Sequence, residues 1–278
     1  MAAPPRTALV TGATSGIGWA TAKLLVERGH TVIGTSRNPA KIPAEDKIEG
    51  VRYRALDLCD VDTIHGFLGS LHTEAIKVDI LVNNAGESQS GPLEEIPLEA
   101  LQRIMNLNVL GPVHLTQALL PGMRERGYGR VVMVGSMLAS FPLAFRSSYV
   151  ASKAALKGFA TAARYEMAPY GVWLTTVEPG SVKTGISQRR TKYISEGSPH
   201  APAFRKMLKV LDGNEREGTT AGRVARTILE AIESDHPAPL YAVGSNAPAV
   251  FALRRALPRS AVEAIVNRAY GISRKPRS

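Results

Sequence analysis

Thr7-Ala8-Leu9-Val10-Thr11-Gly12-Ala13-Thr14-Ser15-Gly16-Ile17-Gly18 decides how this 278-residue chain is read. The first four residues make a short buried strand. Three glycines follow at Gly-x-x-x-Gly-x-Gly spacing, and Leu24, Leu25 and Val26 carry a helical pattern on to Gly29. A strand, a glycine turn and a helix N-terminus together form an anion site, because free backbone N–H groups and the helix dipole point at a phosphate. Gly12 allows the tight turn, Gly16 lets backbone approach a pyrophosphate, and Gly18 lets the helix pack close to the sheet, with Thr14, Ser15 and Ile17 filling the loop. The strand before and the helix after favour a dinucleotide loop over an ordinary turn.

His30 to Thr35 reads as the second strand, ended by Ser36-Arg37-Asn38. In dinucleotide folds the ribose discriminator sits here, where a carboxylate would accept from a 2′-hydroxyl. This turn has none. Ser36 and the Arg37 guanidinium suit a 2′-phosphate, so NADP(H) is expected over NAD(H). Val51 to Leu56 is the third strand and ends in Asp57-Leu58. Asp57 either accepts from an adenine amino group or caps the next helix. The fourth strand, Asp79 to Val82, runs into Asn83-Asn84-Ala85-Gly86, small enough for close passage of a cofactor sugar. Asn83 either shares in that or ties neighbouring strands.

Further along, the spacing predicts helix over 93–118, with Asn108 as a polar residue among apolar ones. A buried amide needs partners. It either bends the helix around a water leading to Lys153 or is a satisfied structural Asn. A polar turn over 121–129 and a buried strand over 131–136 follow, the strand ending in the Ser136 hydroxyl. Tyr149 and Lys153, four apart, share one face of a helix. A lysine ammonium held close would lower a phenol's ordinary value of about 10, and a phenol so tuned exchanges a proton with an alcohol oxygen. Ser136 would hydrogen-bond the same oxygen. The sixth strand, 172–177, ends in Glu178-Pro179-Gly180-Ser181-Val182-Lys183-Thr184. Pro179 and Gly180 would pass under the nicotinamide end, with Val182 and Thr184 meeting its carboxamide and the phosphates.

The totals narrow the class. Hydrophobic residues make up 44%, enough for a sizeable core, and strand and helix signals alternate without a linker. That predicts one α/β domain over 1–278, with a core over 7–184, a polar, basic insertion over 185–218 and an extension over 245–278. The insertion reads as a substrate lid or a charged surface helix pair. The extension, apolar at Phe251, Leu253, Leu257, Val262, Ile265 and Val266, is amphipathic. It packs on its own domain or a partner, or makes peripheral contact with an anionic membrane. Cys59 is the single cysteine, so neither a disulfide framework nor a cysteine-rich metal site is expected. Net charge is +10, which attracts phosphate-bearing ligands. With 6% aromatics and no nucleic-acid-binding motif, no nucleic acid partner is expected. No signal peptide or spanning segment is visible, which leads to an expectation of a soluble, cytoplasmic protein. The ends, 1–6 and 273–278, look loose. The small-residue face Ala151, Ala154, Ala155 and Gly158 suits close packing in a homodimer or homotetramer.

Thr11 to Gly18, Asn83 to Gly86, the set Asn108, Ser136, Tyr149 and Lys153, and Pro179-Gly180 with Thr184 together resemble the short-chain dehydrogenase/reductase family over about 7–243. The resemblance implies a doubly wound Rossmann fold with a mostly parallel seven-stranded sheet. It also implies hydride transfer between NADP(H) and a carbonyl or secondary alcohol. Cofactor contacts would come from the glycine loop, Ser36, Arg37, Asp57, Leu58, Asn84, Ala85, Gly86, Tyr149, Lys153, Pro179, Gly180, Val182 and Thr184. The C-terminal extension looks like that of members acting on steroids, retinoids or other lipophilic alcohols. Two alternatives stand beside this: a 3-oxoacyl thioester reductase, whose acidic carrier would suit the basic run 189–192, and a non-catalytic NADP(H) sensor. Glu87, next to the Asn-Asn-Ala-Gly glycine, departs from the family pattern.

Overall fold

The computed structural model describes residues 4–272, so the tail expected at 273–278 and the first three residues lie outside the described residues. Seven strands form one parallel sheet in the order β3-β2-β1-β4-β6-β7-β11. They are β1 (Thr7–Val10), β2 (Thr31–Ser36), β3 (Val51–Ala55), β4 (Ile80–Asn83), β6 (Gly129–Val134), β7 (Val172–Pro179) and β11 (Leu240–Val243). Short pairs flank the sheet: β5 (Gln89–Ser90) with β9 (Thr191–Lys192), and β8 (Val182–Lys183) with β10 (Thr219–Thr220).

Strand side chains alternate between two helical layers, as period-two geometry requires. Ala8, Val10, Val32, Ile80 and Val82 face α1 (Gly16–Glu27) and α8 (Ala221–Glu233), meeting Ala22, Leu25, Val224, Ile228 and Ile232. Leu9, Ile33, Leu81 and Val131 face the other layer, α2 (Val61–Thr73), α4 (Gly111–Glu125) and α5 (Ser147–Met167), meeting Phe67, Leu71, Leu115 and Leu156. Both faces are covered at the centre of the sheet, which is why β1 and β4 read as apolar runs, whereas the edge strand β3 carries Arg52 and Arg54. The direction in which successive strands are added reverses between β1 and β4, with β2 and β3 on one side and β4 onward on the other. In open α/β sheets ligands bind outside the strand ends at such a switch point, and the glycine loop and the Asn83-Asn84-Ala85-Gly86 turn both lie there.

Three expectations shift. The helix expected over 93–118 is instead a 3-10 turn at Leu93–Glu95, α3 (Leu98–Met105), a π-turn at Asn106–Leu110, and α4. The π-turn is the bend that Asn108 suggested. Gly111 is needed beside it, because a Cβ there would lie 2.2 Å from the Leu58 carbonyl oxygen. Pro121 does not end α4, which runs to Glu125. Proline removes one backbone bond, but the fully buried Met123 still anchors the last turn in the core. The strand before Ser136 begins and ends two residues earlier than expected, so Ser136 caps a 3-10 turn, accepting from the Leu138 N–H at 3.2 Å.

The insertion forms α6 (Ile186–Arg189), β9 and α7 (Ala201–Arg216). The extension forms α9 (Ala247–Ala256) and α10 (Arg259–Ala269), parted at Pro258. Much of its apolar stripe packs inward: Ala247, Val250, Phe251, Leu257, Val262 and Val266 cluster with Met137 and Phe141, while Leu253 and Ile265 stay exposed. Among the described residues, no helix is long and apolar enough to cross a membrane.

Candidate active site

The glycine loop is tied to the β4 turn. Asn84 Nδ2 donates to the Thr11 and Gly12 carbonyls at 2.9 and 3.2 Å, and the Asn84 and Ala85 N–H groups donate to Thr11 Oγ1. Gly12 and Gly16 have φ of +65° and +56°, left-handed values that favour glycine. At Ser15, which precedes α1, no side chain caps the helix, leaving its first N–H groups to a ligand. A Cβ on Gly16 would lie 3.1 Å from Thr184 Cβ, so Thr184 borders the loop from the far side. Arg189 joins them, donating to Ser15 Oγ at 3.3 Å and the Thr184 carbonyl at 3.2 Å. Sequence reading left Arg189 in a basic run; only the fold carries it to the glycine loop.

At the end of β2, Arg37 is exposed and the buried Ser36 hydroxyl has no protein partner. Asp57 Oδ1 accepts from the Cys59 N–H at 2.9 Å, while Asp60 caps α2 by accepting from the Asp62 and Thr63 N–H groups. Of the two roles open to Asp57, the cap therefore falls to its neighbour. Asn83 ties elements together, its Nδ2 donating to Thr116 Oγ1 at 2.9 Å and approaching Met133 sulfur. Leu58 is buried against Gly111, at the root of the π-turn.

The four candidate catalytic residues converge. Asn108 is fully buried and satisfied: Oδ1 accepts from the Glu87 N–H at 2.9 Å, and Nδ2 donates to the Glu87 carbonyl and to Ser152 Oγ, both at 3.1 Å. Ser152 in turn donates to the Tyr149 carbonyl at 2.8 Å. Asn108 thus braces the turn of α5 that carries Tyr149. The Gly86 Cα sits between Asn108 and Lys153, since a Cβ there would lie 2.9 Å from Asn108 Oδ1 and 3.6 Å from Lys153 Nζ. Glu87 pairs with Arg103, Nε to Oε1 3.1 Å, and Arg103 also donates to Tyr193.

The electrostatics differ from the expectation at Tyr149. Burial pushes its phenol above the usual value; the Arg146 guanidinium and the Ser136 hydroxyl pull it back, and Glu215 pushes it up. The cation nearest the ring is Arg146, 4.3 Å from the centroid; Lys153 Nζ is at 5.9 Å and donates to the Val134 carbonyl at 2.9 Å. Arg146 is one helical turn before Tyr149, and i, i+3 spacing was the signal that could have found it. Burial also drives the Lys153 ammonium from 10.5 down to about 8. Between those values the unfolded chain holds the proton that the fold has lost, so stability rises as pH climbs from about 8 towards 10.5 and the full penalty is present at neutral pH. Lys153→Met should therefore stabilise the cofactor-free fold, by on the order of 2 kcal/mol after the Val134 bond is lost. Thermal unfolding at neutral pH reads this out; a lower Tm would mean that the lost bond outweighs the relieved charge.

Tyr149 and Ser136 open onto a cavity of about 400 Å3, which Pro179, Gly180, Val182 and Thr184 also line. Val250, Leu253, Val262, Ile265 and Val266 from α9 and α10 add to its wall. Ile186 and Leu211 of the insertion expected as a lid line it too, beside Ser88, Leu138 and Phe141; the share of α9 and α10 was not legible, since nothing local says which way an amphipathic helix turns its apolar face. The basic run 189–192 is not one cationic surface. Arg190 is buried, paired with Asp212 at 2.5 Å and with Glu215. A metal site was not expected. Among the described residues, Glu94, Glu95 and His200 stand close enough to share an ion, but His200 and Ser198 already bond those carboxylates.

Residues 6–194 match the model of the short chain dehydrogenase family. The chain is 30% identical over 250 residues to a 3-ketodihydrosphingosine reductase of Bacteroides thetaiotaomicron, covering 89% of this chain and 91% of the relative. It is 35% identical over 260 residues to human retinol dehydrogenase 8, covering 85% and 81%. A solved serine dehydrogenase, in a closed form complexed with NADP+, superposes with a TM-score of 0.72 at 27% identity, covering 86% of this chain and 94% of that one. The parallel sheet, the glycine loop at its switch point and these matches agree that the chain belongs to the short-chain dehydrogenase family.

Proposed function

We propose that the protein is an NADP(H)-dependent oxidoreductase acting on a carbonyl or secondary alcohol of a lipophilic substrate. The observation that carries this reading is one apolar cavity with Tyr149 and Ser136 on its wall and the switch-point edge along its side. The residues present fit a dinucleotide: uncapped N–H groups at the start of α1, glycines where a side chain would collide, and an unpartnered Ser36 hydroxyl beside Arg37. When bound, the nicotinamide cofactor supplies or accepts the hydride.

Each residue then has a task. Gly12, Thr14, Ser15, Gly16, Ile17 and Gly18, with Arg189, hold the pyrophosphate. Ser36 and Arg37 take the 2′-phosphate, Asp57 and Leu58 flank the adenine, and Asn84, Ala85 and Gly86 leave room for the sugar. Lys153 holds the nicotinamide ribose; Pro179, Gly180, Val182 and Thr184 border the ring and its carboxamide. Tyr149 Oη gives a proton to the carbonyl oxygen in reduction or takes one from the alcohol in oxidation. Ser136 Oγ fixes that oxygen and stabilises its developing charge. Asn108 keeps Tyr149 in place through Ser152. Within this reading residues 185–218 form a lid, and α9 and α10 shield an apolar tail from water. Both relatives' names denote reactions of lipids, which supports a lipophilic substrate.

We also read the exposed α4–α5 face as a homo-oligomer contact. Phe159 is 48% exposed there beside exposed Ala151, Ala154 and Gly158. A monomer in sedimentation at micromolar concentration would remove that reading.

Cofactor choice has a direct test. Calorimetric titration should show NADPH binding more tightly than NADH, with Arg37→Ala erasing most of the difference, about tenfold or more for one charge-assisted contact. Equal binding of both cofactors by wild type and variant alike would end the 2′-phosphate assignment.

A further inference from the structure

Arg146 is an unexpected residue to find in this wall. It is 3% exposed, in a cavity otherwise lined mainly by apolar side chains. A charge is rarely buried without pairing. No carboxylate bonds it. Nη1 donates to Ser88 Oγ at 2.9 Å, the Gln89 carbonyl at 3.1 Å and Ser90 Oγ at 3.0 Å, while Nε has no partner. Those three bonds fasten β5 to the start of α5, a task that a neutral amide could share. What a neutral group could not do follows from the fourth contact, the guanidinium lying 4.3 Å from the centre of the Tyr149 ring.

We infer that Arg146 is a positioning residue for Tyr149: held by β5 over the phenol ring, its charge stabilises the phenolate and sets the pH range in which Tyr149 exchanges its proton. This rests on the reading of Tyr149 as general acid and base. A phenolate spreads negative charge into its ring, so a cation on the ring face favours the ionised form, and an opposite charge within ~4–6 Å moves a proton affinity by about 1–3 pH units.

The comparison with Lys153 decides why a second cation matters. Burial lowers Lys153 to about 8, so above that pH its ammonium is mostly gone. Burial lowers Arg146 only to about 10, so it keeps its charge across the range in which Lys153 loses its own. The other groups facing Tyr149 are Ser136 from the turn after β6, Arg190 from the segment after α6, and Glu215 from α7. Ser136 and Arg190 act in the same direction as Arg146. Glu215 acts against it, and its Oε2 has no partner. The wall therefore carries opposed charges around one phenol, and each makes a signed prediction.

A fluorotyrosine installed at position 149 of the full, cofactor-free chain reports that single phenol by fluorine NMR, and its lowered ionisation keeps the titration clear of alkaline unfolding. Arg146→Gln retains an N–H2 group for β5 but no charge; its midpoint should rise by about 1 pH unit or more. Arg146→Lys should bring the midpoint most of the way back. Glu215→Gln should lower it, which general loosening of the wall would not do. If the amide variant fails to fold, Arg146→Met keeps the packing of the stem and is expected to show the same rise. A midpoint unmoved in a folded neutral variant overturns the inference and leaves the functional reading standing. Conversely, full turnover in Tyr149→Phe would end the functional reading without touching this titration.

Discussion

Tyr149→Phe should reduce turnover by about 100- to 10,000-fold, the range for removing a general acid–base group, while cofactor affinity stays essentially unchanged. The substitution is conservative everywhere except at one oxygen. The ring stays under the Arg146 guanidinium, and α5 keeps the Ser152 bond to the backbone carbonyl at 149. The bonds that fasten the glycine loop, from Asn84 Nδ2 to the Thr11 and Gly12 carbonyls, do not involve the missing hydroxyl, so the proposed dinucleotide loop should keep its shape. The loss should fall on kcat rather than KM, because the proton moves only as the carbonyl becomes an alcohol. Single-turnover oxidation of NADPH with acetophenone, beside calorimetric titration of NADPH, separates the two quantities. A variant that keeps most of the wild-type rate would move the acid–base role elsewhere. One that loses cofactor binding would make Tyr149 a binding residue instead.

The second large effect is structural in origin. A Cβ on Gly18 would lie 2.2 Å from the Gly12 carbonyl oxygen and 2.3 Å from Asn84 Nδ2, closer than real Cβ contacts allow. Gly18→Ala must push the start of α1 off the sheet or displace Asn84 from the Thr11 and Gly12 carbonyls. Overpacking and the lost bonds together cost on the order of 3 kcal/mol, or roughly 5–10 °C in Tm, and the displaced loop should lose most of its affinity for NADPH. Gly66→Ala is the control. Gly66 lies on α2 with nothing within 4 Å of an added Cβ, so that change should be neutral or stabilise by up to about 1 kcal/mol. Calorimetric melting of both variants checks the contrast. A Gly18→Ala protein that melts and binds like wild type would mean that the loop is not close-packed here.

Much of the fold was legible because a doubly covered parallel sheet writes itself into the chain as apolar runs. β1 lies where Thr7-Ala8-Leu9-Val10 placed it, and the β4 turn meets the glycine loop as two short motifs suggested. Asn108 was legible as a buried amide. Its partner Ser152 was not, because that contact joins the π-turn to a helix 44 residues away in the chain. Pro121 misled for a local reason: proline's penalty is visible in sequence, whereas the burial of Met123 that offsets it is not. Glu215 read as one more charge on a polar insertion. It lines the pocket wall, paired there with Arg190 from the preceding segment. In each case the missing information was which distant element a side chain would meet.

The tie between Thr11 and Asn84 has a consequence for any attempt to cut the molecule down. The residues that fix the nucleotide loop are 72 to 74 positions further along the chain than the loop itself. They follow β4, which lies on the opposite side of β1 from β2 and β3. An amino-terminal fragment ending before Asn84 would contain every glycine of the motif but none of the bonds that Asn84 and Ala85 make to it. Closing a chain segment of that length has an entropic cost that a short fragment cannot offset. The loop is therefore a property of the assembled half-sheet, and the smallest unit that can present it runs through the β4 turn.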